Sequence, residues 1–309
     1  MRKLLFYALI LLLSMTSLFS VLGYFGKYNW RLDLFSHFKW QYLIILLVGT
    51  PILYFIRKKY SYLFMLFIVA LLFEVLPLFW GGNKAVELTE SAKVVCINLL
   101  SSNGQYKEVG NYIRQKDPEI VILQEFNALW KIKLEPNLND YLYRITIPRG
   151  DNFGIAVYSK IKQTQLASLQ IGDAGVPSVL GEIKLGKSKI KFIATHPLPP
   201  VDNWYFNNRN KQLSELSEIV SSTEEEVFVI GDLNTSSFSI HFKHLLSKGK
   251  LIDSRRGFGL LPSWPTWLSI METTLDHCLV SKGISIKDRG VGPNIGSDHL
   301  PIFVELGLK

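Results

Sequence analysis

Hydrophobic positions follow two regimes along the chain. Before residue 81 they run on with few breaks, in three apolar stretches: Leu4–Leu22 behind Arg2-Lys3, Trp40–Ile56 and Leu63–Trp80. Each is long enough to cross a hydrocarbon core of about 30 Å with interfacial help, which predicts three transmembrane helices within residues 1–80. Pro51 in the second stretch is tolerable where neighbouring helices compensate. Tyr42, Tyr54, Tyr60, Tyr62 and Trp80 sit near the ends, where an aromatic belt belongs. The first stretch has no small-x-small cleavage pattern and two more spans come after it, so it reads as a retained span rather than a signal peptide. Glu74, the one acid inside a span, calls for a partner or a watery face.

Gly81–Ala92, with Gly81-Gly82-Asn83, reads as a linker (81–92) that spans at most about 40 Å and keeps the globular domain close to the bilayer. From residue 93 to 309 short β-branched runs alternate with polar segments, the pattern of a strand-rich soluble domain. Gly104–Lys116 and Arg209–Ser222 read as helices, the second with Leu213, Leu216, Ile219 and Val220 on one face. Ile183–Leu185 and Lys189–Ala194 flank Gly186-Lys187-Ser188 as a hairpin. Leu275–Ser281 and Leu300–Leu306 are the last strands. No repeat or low-complexity stretch interrupts the pattern.

The apolar runs end in polar residues. Val94–Ile97 leads to Asn98, Ile120–Leu123 to Gln124-Glu125, Ile190–Ala194 to Thr195-His196, and Val227–Ile230 to Gly231-Asp232-Leu233-Asn234; Leu275-Asp276-His277 and Ser297-Asp298-His299 come later in the chain. Strands that end in carboxylates, amides and imidazoles build a polar cluster on the rim of a sheet, suited to a divalent cation and a phosphate. Glu125 is the best anionic metal ligand by residue type. Asp232 and Asn234, two apart on an extended segment, would point the same way and orient a water; the plainer alternative is an Asx-turn.

Composition refines this. The formal charge of +8 is unevenly placed: residues 1–90 hold nine Lys/Arg against four Asp/Glu, the remainder 25 against 22. The soluble domain therefore lacks the large basic field that drives nucleic-acid binding. Cys96 and Cys278 are either a disulfide or two small buried hydrophobes. His277, His241, His244 and His37 read as packing or surface residues. Arg209 is a phosphate contact or a solvated charge, and Trp204 and Trp267 wall a groove or fill the core.

The six polar signatures, in this order, resemble the endonuclease/exonuclease/phosphatase superfamily, over roughly Lys93 to Leu306. Phe153–Ser159 and Pro265-Thr266-Trp267 are similar to segments that frame the family's site. The resemblance implies an α+β fold, a four-layer αββα sandwich (DNase I-like), behind the three transmembrane helices. It further implies that Asn98, Glu125 and Asp298 hold Mg²⁺, with Mn²⁺ as an alternative, and that Asp232 and Asn234 align the nucleophile. His299 would contact the scissile phosphate with Asp276 orienting it, and His196 would be a second phosphate contact. The expected function is a membrane-tethered, metal-dependent phosphodiesterase, phosphatase or nuclease. The expected partners are a phosphoester (lipid head group, nucleic acid or small molecule) and membrane lipid; no protein partner is legible. The alternative from another class is a catalytically silent membrane-bound binding module. Arg2-Lys3 and Arg57-Lys58-Lys59 outweigh Lys27, Arg31 and Lys39 in the first loop, so the positive-inside bias places the catalytic domain outside the cytoplasm of a cell-membrane protein.

Overall fold

The computed structural model describes residues 2–88 and 90–308; Met1 of the expected anchor, Thr89 of the linker and Lys309 of the catalytic domain lie outside them. The apolar N-terminal sequence folds into α1 (Arg2–Leu22), a short α2 (Trp30–Leu34) and α3 (Lys39–Val75). The soluble part begins with β1 (Glu90–Asn98), α4 (Tyr106–Lys116), β2 (Ile120–Gln124), α5 (Ala128–Leu134), β3 (Tyr143–Ile147), β4 (Ile155–Ser159), β5 (Gln165–Gln170), β6 (Pro177–Leu185) and β7 (Ser188–Thr195). It closes with α6 (Asn203–Ser221), β8 (Glu226–Asp232), α7 (Ile240–Gly249), β9 (Ile252–Asp253), β10 (Asp276–Val280), β11 (Ile284–Val291) and β12 (Ile302–Leu308).

The strands form two six-stranded sheets, β11-β12-β1-β2-β4-β3 and β5-β6-β7-β8-β10-β9. The uninterrupted apolar runs have a direct cause: these strands are covered on both faces. Val94, Cys96, Ile120, Ile122, Phe228 and Ile230 face the interior between the sheets. Their neighbours Val95, Ile97, Val121 and Leu123 pack under α4 and α5, while Val227 and Val229 pack under α6 and α7. The result is the four-layer αββα sandwich. Each sheet holds one parallel central pair, β1 with β2 and β7 with β8, so four strands end at the same rim. Cys96 and Cys278 are free and buried, and burial raises both thiols, Cys278 to about 12. They pack as small hydrophobes.

The first ninety residues depart from expectation in one respect. Two stretches rather than three, Arg2–Phe25 and Trp30–Leu78, are long and apolar enough, by length and composition, to cross a membrane among the described residues, and the second is two helices joined at a kink. Arg57, in the expected turn, is non-helical within α3 (φ −154°, ψ 79°). Both ends of α3 reach the sandwich: Gln41 Nε2 donates to the Glu272 carbonyl at 2.9 Å, and the Gly257 and Gly259 amides donate to the Leu78 carbonyl, each at 2.9 Å. Those anchor points are neighbours, because Arg255 Nη1 donates to Thr274 Oγ1 at 2.8 Å. A straight helix of this length would run about 55 Å, so the chain folds back at Arg57. Leu13, Leu46, Leu53, Phe64 and Leu71 fill the seam between α1 and the two halves of α3. Glu74 finds its partners in Tyr24 Oη (2.7 Å) and Lys243 Nζ on α7 (3.0 Å).

Segment 81–88 lies along β11, with Ala85 N donating to Ile286 O at 2.8 Å and Asn83 Nδ2 to Ile284 O at 2.8 Å. The loop between α1 and α3 is fixed just as firmly. Asp33 on α2 is fully buried, accepting from Arg209 Nη2 and Ser239 Oγ, each at 2.7 Å. Arg209 is thus neither a phosphate contact nor a solvated charge; its Nη1 also donates to Asn234 O at 2.9 Å. Removing one partner of a buried pair strands the other charge. Arg209→Met should therefore cost roughly 3–5 kcal/mol and lower the thermal midpoint in detergent. Asp33→Leu combined with it should cost much less than the two single losses together. Strictly additive midpoints would refute this coupling.

Candidate active site

The rim where β1, β2, β7 and β8 end opens into a cavity of about 440 Å³. Asn98, Glu125, His196, Asp232, Asn234, Asp298 and His299 line it, and Asp276 stands directly behind His299. The eight residues expected from the sequence thus come together, although they span two hundred positions. Backbone conformation helps to aim them: Glu125 (φ 54°) and Asn234 (φ 49°) both lie in the left-handed region, uncommon for residues with a side chain and concentrated at functional sites.

Gln124 ties the two sheets together at this rim. Its Nε2 donates to Thr195 O at 2.8 Å and its Oε1 accepts from Asp232 N at 2.9 Å. Gly231 (φ 149°) makes that approach possible, because a Cβ there would stand 2.1 Å from Thr195 O and 2.6 Å from Gln124 Nε2. The sequence placed Gln124 beside the site without giving it a task; its task is to set the spacing between the sheets.

Asp232 is the hub. Its Oδ2 accepts from Asn98 Nδ2 at 3.2 Å and lies 3.5 Å from His196 Nε2 and 3.6 Å from His299 Nε2. Its Oδ1 accepts from Asn234 N at 2.9 Å. That last bond is an Asx-turn, so the extended geometry expected for residues 232–234 is not the one that forms. β8 ends at Asp232, and the turn brings Asn234 to the cavity while its Nδ2 donates to Pro197 O at 2.9 Å. Burial would raise the Asp232 carboxyl, but His299, His196 and the Asn234 amide outweigh it and hold the group at about 2.

His299 shows the opposite balance. Burial alone would neutralise it, yet the charges of Asp276, Asp232 and Asp298 and the Asp276 hydrogen bond push its pKa up to about 10. Its Nδ1 donates to Asp276 Oδ2 at 2.8 Å, which leaves Nε2 on the cavity side. Asp276 pairs across the sheet with Asp232, so the register of β10 against β8 sets one carboxylate on each side of this ring. Arg289, buried behind, directs Nη2 to the Asp276 carbonyl at 3.5 Å.

The site's oxygens fit a hard divalent cation. Asp276 Oδ1 and Asp298 Oδ1 are buried without a hydrogen-bond partner, and Glu125 meets Ser101 N at 3.0 Å through Oε2. Asp232, Asp276 and His299 are the group of acids and histidines compact enough to chelate among the described residues. That trio already bonds internally through His299 Nδ1, whereas Glu125 and Asp298, outside it, carry oxygens that a cation could satisfy.

Phe153, from a segment expected to frame the site, lines the cavity; several other walls were not legible in the sequence, among them Trp264, whose Nε1 donates to Asp298 Oδ2 at 3.2 Å. Thr266 of the framing segment bonds to both Ser297 O (2.9 Å) and Asp298 O (3.0 Å). Trp204 and Trp267, expected as groove or core, are 57% and 72% exposed, so neither belongs to the core, and neither is among the residues that line the cavity. Trp30, Leu34 and His37, from the loop between the apolar helices, complete the lining. His277, as expected, is packing, its Nε2 within 2.8 Å of Thr235 O.

A four-layer sandwich with acids, amides and imidazoles gathered at the ends of its central strands is the architecture of a phosphoester hydrolase. The Endonuclease/Exonuclease/phosphatase family profile matches residues 96–299, and the chain belongs to that family. No curated protein gives a significant sequence match. Among solved structures, a humanized D. rerio TDP2 superposes with a TM-score of 0.59 at 14% identity, covering 70% of this chain and 99% of that one. The human Nocturnin catalytic domain with bound sulfate anion gives 0.58 at 15% identity, over 71% and 95%. An endonuclease/exonuclease/phosphatase family protein from Bacteroides thetaiotaomicron gives 0.57 at 20%, over 72% and 100%. At these identities the likeness establishes the fold.

Proposed function

We infer that the protein is a membrane-tethered hydrolase that uses Mg²⁺ to cleave phosphoester bonds at the 440 Å³ cavity. The observation that carries this reading is His299, set between the carboxylates of Asp276 and Asp232 with its Nε2 on the cavity side. Glu125, Asp298 and Asn98 would hold the cation, which when bound supplies charge stabilisation to phosphoryl oxygens. His299 Nε2 donates to a phosphoryl oxygen as negative charge grows there, and His196, whose Nε2 lies 3.5 Å from the same Asp232 oxygen, adds a second donor. Such preorganised donors usually supply the largest catalytic contribution. Asp232, ionised beside the two imidazoles, fixes both rings and, through the Asx-turn, Asn234. Asn234 and Asp232 together position the attacking water in line with the leaving group, and the Asp232 carboxylate takes the water's proton as the new P–O bond forms.

Full-length protein in nanodiscs should hydrolyse an aryl phosphodiester or monoester when Mg²⁺ is present. Tight binding of phosphoesters with no turnover of any of them would instead favour the silent binding module.

The tether is part of the same reading. The outward faces of α1 and α3 stay apolar, with Leu4, Phe55 and Phe73 each more than three-quarters exposed, as lipid-facing positions must be. Three passes, turning at the basic Arg57-Lys58-Lys59, with Arg2-Lys3 cytoplasmic, put the sandwich on the outer side. An alkaline-phosphatase fusion after Lys309 should be active and a GFP fusion dark; the reverse pattern would overturn this topology.

A further inference from the structure

The loop between the apolar helices is built into the active site. Residues 29–38 are locked there by the buried Asp33–Arg209 pair at 2.7 Å and by Thr273 Oγ1 donating to His37 O at 2.9 Å. Arg209 bonds at the same time to the carbonyl of Asn234, so one guanidinium fixes both the loop and a residue of the polar cluster. Trp30, Leu34 and His37 then line the cavity together with the charged groups, joined by Pro199, Pro200 and Val201.

The rim beyond is apolar as well. Val201 lines the cavity, and Trp204, Trp267 and Ile270, a few positions along the chain from the lining residues Val201 and Trp264, are like it more than half exposed. The Ile270 stretch leads to Glu272, whose carbonyl accepts from Trp40 Nε1 and Gln41 Nε2 in the first turn of α3. The rim therefore lies level with the start of an apolar helix, the depth at which exposed aromatic and aliphatic side chains meet a bilayer interface. A cavity with charge at its floor and apolar side chains from there to the membrane surface suits an amphiphile. A wholly water-soluble ester would gain nothing from this wall.

We propose that the substrate is a phosphoester carried on a membrane-resident lipid, whose hydrocarbon part leaves the site along the Trp30–Leu34 wall and the Val201 rim into the bilayer. This rests on the hydrolase reading and names its substrate class. Lipid-linked phosphates with different head groups share this chemistry, so chain length is the variable to test.

Full-length protein in nanodiscs would be assayed on bis(p-nitrophenyl) phosphate with Mg²⁺, using butyl and dodecyl phosphate as competitors below their micellar concentrations. Each buried methylene strengthens binding up to several-fold, so dodecyl phosphate should inhibit at least about 100-fold more tightly than butyl phosphate. Trp30→Ala with Leu34→Ala should shrink that ratio to below about tenfold. Partitioning into the disc is common to both proteins, so the change in ratio reports the wall. Val201→Ser, at an exposed position, should shrink the ratio in the same direction and replaces the double variant if that one does not fold. Chain-independent inhibition, or a ratio unmoved by these substitutions, overturns the proposal while leaving the hydrolase reading intact. If no ester is cleaved, the hydrolase reading fails, and the same ratio is read by calorimetric binding of the two alkyl phosphates.

Discussion

Glu125→Gln lowers phosphoester turnover by on the order of 10³-fold, with little change in thermal midpoint. The substitution keeps the shape and the hydrogen bond from Ser101 N, made at 3.0 Å to Oε2, but removes the one full negative charge that Glu125 offers a cation. Loss of a metal's charge stabilisation is worth several kcal/mol at the transition state, which sets the scale of the loss. EDTA should silence the native protein and Mg²⁺ should restore it. The variant should need far more Mg²⁺ for half-activity, and a titration of activity against the metal measures that shift. Equal activity of native protein and variant at limiting Mg²⁺ would remove Glu125 from the metal site, whatever its place in the cavity.

His299→Ala should lower kcat by roughly 10²–10³-fold, the usual cost of losing one preorganised donor to developing charge. The loss should appear in kcat more than in KM, since the charge it answers grows on the way to the transition state. Asp276→Asn should lose less, because the ring remains but its Nδ1 contact, at 2.8 Å in the native protein, no longer carries a carboxylate to hold the imidazolium. The double variant should be scarcely worse than His299→Ala alone, because Asp276 acts through that ring. Fully additive losses would mean that Asp276 has a separate task, its unpartnered Oδ1 on a cation being the obvious one.

Much of this site was legible in the chain because strands write a local signal. A run such as Val227-Phe228-Val229-Ile230 is apolar at every position only when both faces are covered, and the polar residue that ends it must lie at the edge of the sheet. Four such endings, with Asp276 and Ser297-Asp298-His299 after them, named the residues that converge. The break in α3 was legible too: Arg57-Lys58-Lys59 cannot sit in the middle of an apolar span, and Arg57 is where the helix fails.

By itself, then, the sequence determined the two regimes of the chain, the strands, the family resemblance and the charged half of the cavity, all of which depend on residues near one another or on periodicity. The tertiary structure decided the rest. Whether residues 232–234 continued a strand or closed an Asx-turn depended on β8 ending against Gln124 of the other sheet. The standing of Arg209 depended on Asp33, which lies 176 positions away and belongs to a loop with no periodic signal. Trp30, Leu34 and His37 enter the cavity wall for the same reason. Their place follows from a pairing between distant charges that only the folded chain brings together, because a buried ion must find its partner wherever the packing leaves one.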